Sequence, residues 1–178
     1  MSDQQHRIRT VETGDLEAIQ QIYAHHVLHG TASWELEPPD LAEMRRRCEA
    51  LRSDGFPYLV MERNGELLGY CYAGPYRPRP AYRYTVENTI YIRHDLTGQG
   101  LAAPLLLQLI DTCTEAGRRQ MIAIIGDSDH KASINFHRRM GFTQVGLVRN
   151  IGWKFGRWLD QIIMQRPLGS GYTSAPDN

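Results

Sequence analysis

The stretch that decides the fold is residues 87–107, ENTIYIRHDLTGQGLAAPLLL. Residues 89–93 alternate threonine, tyrosine and arginine with isoleucine, and this pattern of β-branched and aromatic side chains predicts a strand. A polar turn with Gly98 and Gly100 leads into residues 101–110, which are apolar and favour a helix. Such a turn leaves the first N–H groups of the helix unpaired, which suits a phosphate or pyrophosphate. The alternative is that the glycines serve only the φ freedom of the turn.

The rest of the chain alternates strand-like and helix-like segments around this stretch. The pattern predicts strands at residues 8–11, 58–62, 67–73, 121–125, 142–148 and 159–165, and helices from 16 to about 30, 41 to about 53, and 131 to 140. Asn64-Gly65 predicts a hairpin, and the three prolines in residues 74–82 predict a loop. Glycines and an aromatic-basic stretch are expected to separate the last two strands. The order β-α-α-β-β-β-α-β-α-β-β predicts an α+β domain with helices on the faces of a mixed sheet.

The composition is that of an ordinary globular protein. Its 178 residues suit a single domain, predicted at residues 1–168, followed by a flexible tail at 169–178. Lysine plus arginine equals aspartate plus glutamate at 20 each, so we expect no nucleic acid and no membrane as partner. No apolar run reaches the ~18 residues that span a bilayer, and the polar start does not resemble a signal peptide. Cys48, Cys71 and Cys113 lack metal or redox spacing, which predicts reduced thiols in a cytoplasmic protein.

Further motifs carry a resemblance to a known family. The glycine turn together with Ala132-Ser133-Ile134, His137 and Gly141-Phe142 resembles the GNAT N-acetyltransferases. RPRPAYRYTVENTIYI and VGLVRNIGWKFGRWLDQIIMQ are similar to the phosphinothricin acetyltransferase subfamily, which includes the methionine sulfone and sulfoximine acetyltransferases. The resemblance covers residues 8–167. It implies the GNAT fold, with a mostly antiparallel mixed sheet flanked by helices, and a homodimer.

The same resemblance implies acetyl-CoA as the acetyl donor, and we expect no metal. The pyrophosphate is expected on the N–H groups of the glycine turn, and the pantetheine along the edge of the strand at residues 90–92. The implied cofactor-binding residues are Ile90, Tyr91, Ile92, Thr97, Gly98, Gln99, Gly100, Leu101, Ala102, Ala103, His130, Ser133, Phe136 and Arg139. This chain departs from the family twice. Thr97 stands where glutamine or arginine is usual, which removes a side-chain contact, and His130 replaces an asparagine amide with a ring nitrogen.

Acetyl transfer to an amine requires a proton to leave the ammonium, the thioester carbonyl to be polarised and the thiolate to be protonated. Glu87 lies just before the segment expected to contact CoA and is the predicted base, acting through a water molecule. A backbone N–H near Ile92 is implied as the donor to the oxyanion. His137, where many relatives place a tyrosine, is the predicted acid for the thiolate. The alternatives are an ion-paired surface glutamate and a histidine that only packs.

The acceptor is expected to be anionic, because Arg77 and Arg79 lie in the proline-stiffened loop and guanidinium groups pair with carboxylates and other oxyanions. The predicted substrate-binding residues are Trp34, Arg77, Arg79, Tyr82, Glu87, Asn88 and Thr89. Among them, Trp34 and Tyr82 are predicted apolar walls, with core packing as the alternative. Two solvated arginines are the alternative for the loop.

These residues predict direct acetyl transfer, in a ternary complex, to the α-amine of a small amino acid. The expected acceptors are of the phosphinothricin, methionine sulfone or methionine sulfoximine type. Two alternatives stay open: peptide N-termini or polyamines as acceptors, and a CoA-binding module with little catalysis. Lys154 and Arg157 belong to a segment that the resemblance places near the mouth of the site or at a dimer contact, and neither has an assigned role.

Overall fold

The computed structural model describes residues 6–176, so the first five residues of the predicted domain and the last two of the predicted tail lie outside the described residues. The predicted order of elements is confirmed. The strands are β1 Arg7–Thr10, β2 Tyr58–Arg63, β3 Glu66–Pro75, β4 Thr85–Ile92, β5 Gln120–Gly126, β6 Thr143–Lys154 and β7 Arg157–Pro167. The helices are α1 Leu16–His29, α2 Leu41–Ser53, α3 Ala102–Glu115 and α4 Lys131–Arg139.

The described strands form one seven-stranded sheet in the order β1-β2-β3-β4-β5-β7-β6. The pair β4 and β5 is parallel, and the other neighbouring pairs are antiparallel. The predicted mixed, mostly antiparallel sheet is therefore confirmed. The single parallel pair follows from the connection through α3, since a helix is long enough to return the chain to the edge where β4 begins.

Helices cover both faces of the sheet and bury two apolar clusters. On one face, α1 buries Leu16, Ile19 and Ile22 at helical spacing, against Tyr70 of β3 and Tyr91 of β4. On the other face, α3 and α4 pack against β5 and β7. The buried residues of this cluster include Leu105, Leu106 and Leu109 of α3, Ile134 of α4, Met121 of β5 and Met164 of β7. The sheet is thus buried on both sides, which explains why β3 and β5 are nearly continuous apolar runs.

The centre of the sheet opens where β4 and β5 separate. Their parallel pairing runs from Thr85↔Gln120 to Asn88↔Ala123 and ends there. Beyond that point β4 continues to Ile92, paired only with β3, and β5 continues to Gly126, paired only with β7. The two strands therefore leave an opening between them. Beyond Asn88, the edge of β4 that faces this opening has no strand partner.

The end of the domain corrects one prediction. The sequence predicts two strands at 142–148 and 159–165 with an irregular stretch between them, whereas β6 runs on to Lys154 and β7 begins at Arg157, in one hairpin that turns at Phe155 and Gly156 and shifts register between Val148 and Gly152. Trp153 and Trp158 face each other across the strands, with ring centroids 5.3 Å apart, and such a cross-strand aromatic pair favours the extended form. The glycine taken as a break is Gly152, which pairs with Leu159 within the ladder.

The C-terminal boundary of the domain lies beside Leu168, which is buried in the larger core cluster. Beyond it, the Arg119 guanidinium donates a hydrogen bond of 3.1 Å to the carbonyl oxygen of Ala175. The single domain at 1–168 and the flexibility of the tail stay predictions. No helix in the described part of the chain is long and apolar enough to cross a membrane.

Candidate active site

The opening between β4 and β5 holds a cavity of about 530 Å³. It brings together many of the residues predicted for the site, namely Trp34, Glu87, Asn88, Thr89, Ile90, Tyr91, His130, Ser133 and His137. The opposite wall is the end of β5, residues 124–126. Residues from α1, the loop after it, both separated strands and the start of α4 thus meet at a single point of the sheet.

Strand alternation gives this cavity two chemically different sides. Glu87 and Thr89 point to the face covered by α1 and α2, where the Tyr72 hydroxyl bonds Thr89. Asn88, the residue between them, points to the opposite face and reaches His137 of α4. A molecule in the opening therefore meets a carboxylate on one side and an amide with an imidazole on the other.

Glu87 is half-buried, and its pKa is raised above the usual carboxyl range because burial disfavours the charged form. The Arg77 charge acts in the opposite direction and lowers the same pKa. A carboxyl in this environment is a better proton acceptor near neutral pH than an exposed glutamate.

His137 is 4% exposed, and both of its ring nitrogens are engaged. Nδ1 lies 2.9 Å from the Ser133 carbonyl oxygen, to which it donates, so in the neutral ring Nε2 accepts from the Asn88 amide at 3.2 Å. Burial lowers the pKa of His137, which favours this neutral form. The hydrogen bonds hold the imidazole in one orientation beside the cavity.

Three buried polar atoms that line the cavity have no hydrogen-bond partner within the described residues. They are Trp34 Nε1, Asn88 Oδ1 and His130 Nδ1. Buried polar atoms are nearly always paired with protein, water or ligand. Their convergence at the strand opening fits a ligand with amide or carbonyl groups, as the pantetheine arm of acetyl-CoA has.

The free edge of β4 offers backbone groups to such a ligand. The N–H of Arg93 donates to the Leu68 carbonyl of β3 at 2.8 Å, so alternation turns the N–H of Ile92 away from β3 and toward the opening. The carbonyl oxygen of Ile92 is held by His26 Nε2 at 2.8 Å, a contact that sequence reasoning missed. The end of the free edge is therefore fixed by α1.

The glycine turn before α3 leaves main-chain N–H groups without backbone partners among the described residues. Gly98 and Gly100 both have φ of +80°, which confirms that the turn depends on glycine. The helix has no side-chain N-cap, and the N–H groups ahead of Ala103 make no backbone hydrogen bond in the described part of the chain. Thr97 Oγ1 donates a hydrogen bond of 3.1 Å to the His94 carbonyl oxygen, and the Leu101 side chain is buried. The groups of these two residues that a ligand can reach are therefore those of the main chain.

Several predicted residues do not line the cavity. Arg77, Arg79 and Tyr82 are exposed on the loop after β3. Phe136 packs against the larger core cluster and contacts His137, with ring centroids 5.1 Å apart. Arg139 lines a separate surface cavity beside Arg166. Their binding roles stay predictions.

The structure also adds residues that the sequence did not single out. The acceptor side of the cavity is completed by Tyr23, Ser33, Glu35 and Tyr72. The Tyr23 hydroxyl lies 2.8 Å from Ser33 Oγ, and Arg47 bonds Glu35 at 2.5 Å. For Ser33 and Glu35, the sequence offered one indication of a site: they belong to the polar Thr-Ala-Ser-Trp-Glu segment after α1, and a polar loop suits the wall of a site.

Trp34 is held in place by glycines, and this gives a prediction for Gly126→Ala. The added Cβ would lie 2.1 Å from Trp34 Nε1 and 2.3 Å from the Thr31 carbonyl oxygen. We expect the free energy of unfolding to fall by about 1–3 kcal/mol in urea denaturation, as for other overpacked sites. Gly14→Ala is the matched control, because its Cβ meets no atom within 4 Å. Equal stability of the two variants would contradict the tight packing of Trp34.

Comparison with known proteins identifies the class that this fold and site define. A family model described as an acetyltransferase (GNAT) domain matches residues 8–163. The chain belongs to the GNAT family, and it is an acyltransferase that uses acetyl-CoA as co-substrate. The fold, the enzyme class and the co-substrate implied by the resemblance are thereby confirmed.

Among its relatives is the phosphinothricin N-acetyltransferase of Alcaligenes faecalis, 52% identical over 170 residues, which cover 96% of this chain and 86% of that protein. The L-methionine sulfoximine/L-methionine sulfone acetyltransferase of Salmonella typhimurium is 39% identical, covering 96% of this chain and 98% of that protein. A solved structure of a Sinorhizobium meliloti phosphinothricin acetyltransferase in complex with acetyl-CoA superimposes with a TM-score of 0.94 at 42% identity, covering 97% of this chain and 94% of that one.

Proposed function

We propose that this protein acetylates the α-amine of a small amino acid whose side chain carries a phosphinate, sulfone or sulfoximine. The observation that carries the proposal is Glu87, a half-buried carboxylate with a raised pKa at the strand opening, under the influence of the Arg77 charge. The names of the relatives in Alcaligenes faecalis and Salmonella typhimurium support this acceptor class.

The proposed mechanism begins with proton removal. Glu87 accepts a proton from the acceptor ammonium through a water molecule, which frees the nitrogen lone pair for attack on the thioester carbonyl carbon. The N–H of Ile92 stabilises the negative charge that develops on the carbonyl oxygen. When the carbon–sulfur bond breaks, the nitrogen gives up its second proton to solvent, and the sulfur leaves as a thiolate and takes up a proton, for which His137 is the proposed donor.

His137 supplies that proton only from Nε2, because Nδ1 donates to Ser133. An Nε2–H requires the Asn88 amide to turn, so that Oδ1 accepts the hydrogen bond. The turn would also give a partner to Asn88 Oδ1, which has none in the described structure. With Nδ1 also protonated, this form is the imidazolium, so His137 acts as the acid only after it gains a proton, which its lowered pKa opposes.

Arg77 and Arg79 are proposed to bind the anionic end of the acceptor at the mouth of the cavity. The Arg77 guanidinium lies over the Tyr76 ring at 5.2 Å, and Tyr76 contacts Tyr82 with ring centroids 5.8 Å apart. These contacts support an ordered loop. Neither guanidinium group has an acidic partner at salt-bridge distance among the described residues, which leaves both for an anionic ligand.

The acceptor class is tested by thiol release from acetyl-CoA. Methionine sulfone, methionine sulfoximine and phosphinothricin are compared with spermidine and a short peptide. We expect turnover on the three oxyanionic amino acids. Turnover only on spermidine or the peptide would overturn the acceptor, and binding of acetyl-CoA without turnover on any amine would favour the binding module.

The charge of Arg77 makes a prediction about pH. Activity rises with pH as the base loses its proton, and Arg77 lowers the pKa of Glu87. Removing that charge in Arg77→Gln raises the pKa, so we expect the acid limb of kcat/KM to move to higher pH. Arg79→Gln is the control, because Arg79 is not among the groups that shift the pKa of Glu87. Profiles with equal acid limbs in both variants would contradict the link between Arg77 and Glu87.

We also propose that the protein is a cytoplasmic homodimer. Buried, unpaired Cys48, Cys71 and Cys113 support a reducing compartment. The dimer is supported by exposed apolar side chains on the β6–β7 hairpin, where Trp153, Phe155 and Trp158 are 56–57% exposed. Sedimentation equilibrium tests the dimer, and a monomer at micromolar concentration would contradict it.

A further inference from the structure

Lys154 is a buried ammonium group at the end of β6. It is 4% exposed, whereas Trp153 before it in the strand is 56% exposed, as strand alternation predicts, and Phe155 in the turn is also 56% exposed. Its Nζ donates to the carbonyl oxygens of Gly30 at 2.9 Å and Ser33 at 2.7 Å. No carboxylate lies within salt-bridge distance of it among the described residues. The charge is thus held by main-chain carbonyls, and it also lies 5.0 Å from the centroid of the Phe155 ring.

The two carbonyls belong to the loop that follows α1, residues 30–35. This loop supplies Ser33, Trp34 and Glu35 to the wall of the cavity, on the side that also holds Glu87. The loop is also held from β4, where the Tyr91 hydroxyl donates a hydrogen bond of 3.0 Å to the Ala32 carbonyl oxygen. Lys154 holds the loop from the β6–β7 hairpin by hydrogen bonds, and Gly152 of the same hairpin lies against the Trp34 ring.

The chemistry of this contact favours a positioning role over a purely stabilising one. Burying an ammonium is costly unless its donors are satisfied, and well-packed apolar residues often stabilise a protein as much as a buried charge does. A lysine directs separate donors to separate acceptors, whereas the planar arginine fork suits one flat partner. Lys154 is one of only two lysines in the sequence. Its charge-assisted hydrogen bonds hold the loop at the carbonyl groups of Gly30 and Ser33. They thereby fix the orientation of the Trp34 side chain, which lies between Gly126 and Gly152.

We propose that Lys154 is a positioning residue for the acceptor. By holding the loop at Gly30 and Ser33, it fixes the wall that faces Glu87, so that the acceptor amine is directed at the base. This inference rests on the proposed acetyl transfer to a small amine. It assigns Lys154 no contact with either substrate.

The test compares Lys154→Met, which keeps most of the length of the side chain and removes its donors, with Arg149→Met, which removes an exposed cation from the same strand. For Lys154→Met we expect the KM of methionine sulfone to rise about tenfold, because small displacements of positioning groups are costly. We expect the KM of acetyl-CoA to stay unchanged, and Arg149→Met to match the wild type in both. Unchanged KM values, or an equal rise for both substrates, would overturn the proposal.

A second measurement uses the wild-type protein and decides the question if Lys154→Met does not fold. Reductive methylation followed by mass spectrometry reports the rate at which each lysine reacts, with exposed Lys131 as internal reference. The acetylated product of methionine sulfone has no competing amine. With CoA, we expect it to slow the labelling of Lys154 and to leave Lys131 unchanged, because a filled cavity restrains the loop. Equal labelling with and without product would overturn the proposal.

The two proposals fail in different ways. If the wild-type enzyme turns over spermidine or a peptide and not methionine sulfone, the proposed acceptor class is wrong. The KM comparison and the labelling are then run with that amine and its acetylated product, and they still decide the role of Lys154.

Discussion

Glu87→Gln is expected to lower kcat for methionine sulfone by about 10²-fold or more, the usual loss when a general base is removed. Glutamine keeps the shape and hydrogen-bonding capacity of the side chain and cannot accept the proton. Because the cavity and the glycine turn are unchanged, we expect the Kd of acetyl-CoA in calorimetry to stay at the wild-type value. The effect is therefore on the chemical step.

Glu49→Gln is the control for this variant, since Glu49 is an exposed carboxylate on α2. Its kcat should equal that of the wild type. The pH profile gives a second check, because the acid limb assigned to Glu87 should disappear in Glu87→Gln. Wild-type kcat in Glu87→Gln, with its acid limb intact, would show that another group is the base.

Gly100→Val is expected to raise the KM of acetyl-CoA by about ten- to a hundredfold. Gly100 has φ of +80°, and a β-branched residue is a conformational outlier there, so the turn must change its path. Holding an L-residue in the left-handed region costs about 1–2 kcal/mol. The N–H groups offered to the pyrophosphate would then lose their common direction, which weakens anion binding. Initial rates at varied acetyl-CoA measure the change.

Gly55→Val separates this effect from general strain. Gly55 has φ of +75°, and an added Cβ meets no atom within 4 Å, as at Gly100. Both variants should lose similar stability, and only Gly100→Val should change the KM of acetyl-CoA. An unchanged KM in Gly100→Val would mean that the turn serves chain geometry alone.

Local patterns were sufficient for most of the fold. The alternation at residues 89–93, the Asn64-Gly65 hairpin and the αL glycine after α4 are decided by residues close together in sequence. Periodicity and turn chemistry therefore predicted the order of all the described elements. The hairpin β6–β7 was the exception, because Gly152 is typical of a break in a strand, whereas the structure pairs it with Leu159 and places the Trp34 ring against it.

The site was predicted only where its residues belong to a motif. Glu87 and the glycine turn lie within one stretch, so the sequence singled out both, and their roles stay predictions. Tyr23, Ser33 and Tyr72 come from separate elements and carry no motif, and only packing brings them to the cavity. The loop after β3 shows the converse, since Arg77 and Arg79 were chosen for their chemistry and lie outside the cavity in the described structure.

The sequence by itself determined the elements and their order, and it predicted the base and the phosphate-binding turn, because each depends on neighbours along the chain. Tertiary structure alone decided where β4 and β5 separate, that His26 holds Ile92, and that Lys154 reaches Gly30 and Ser33, 124 and 121 residues away. Those contacts join residues whose spacing has no period. They form only when the buried faces of the helices and the sheet have fixed the positions of their backbones.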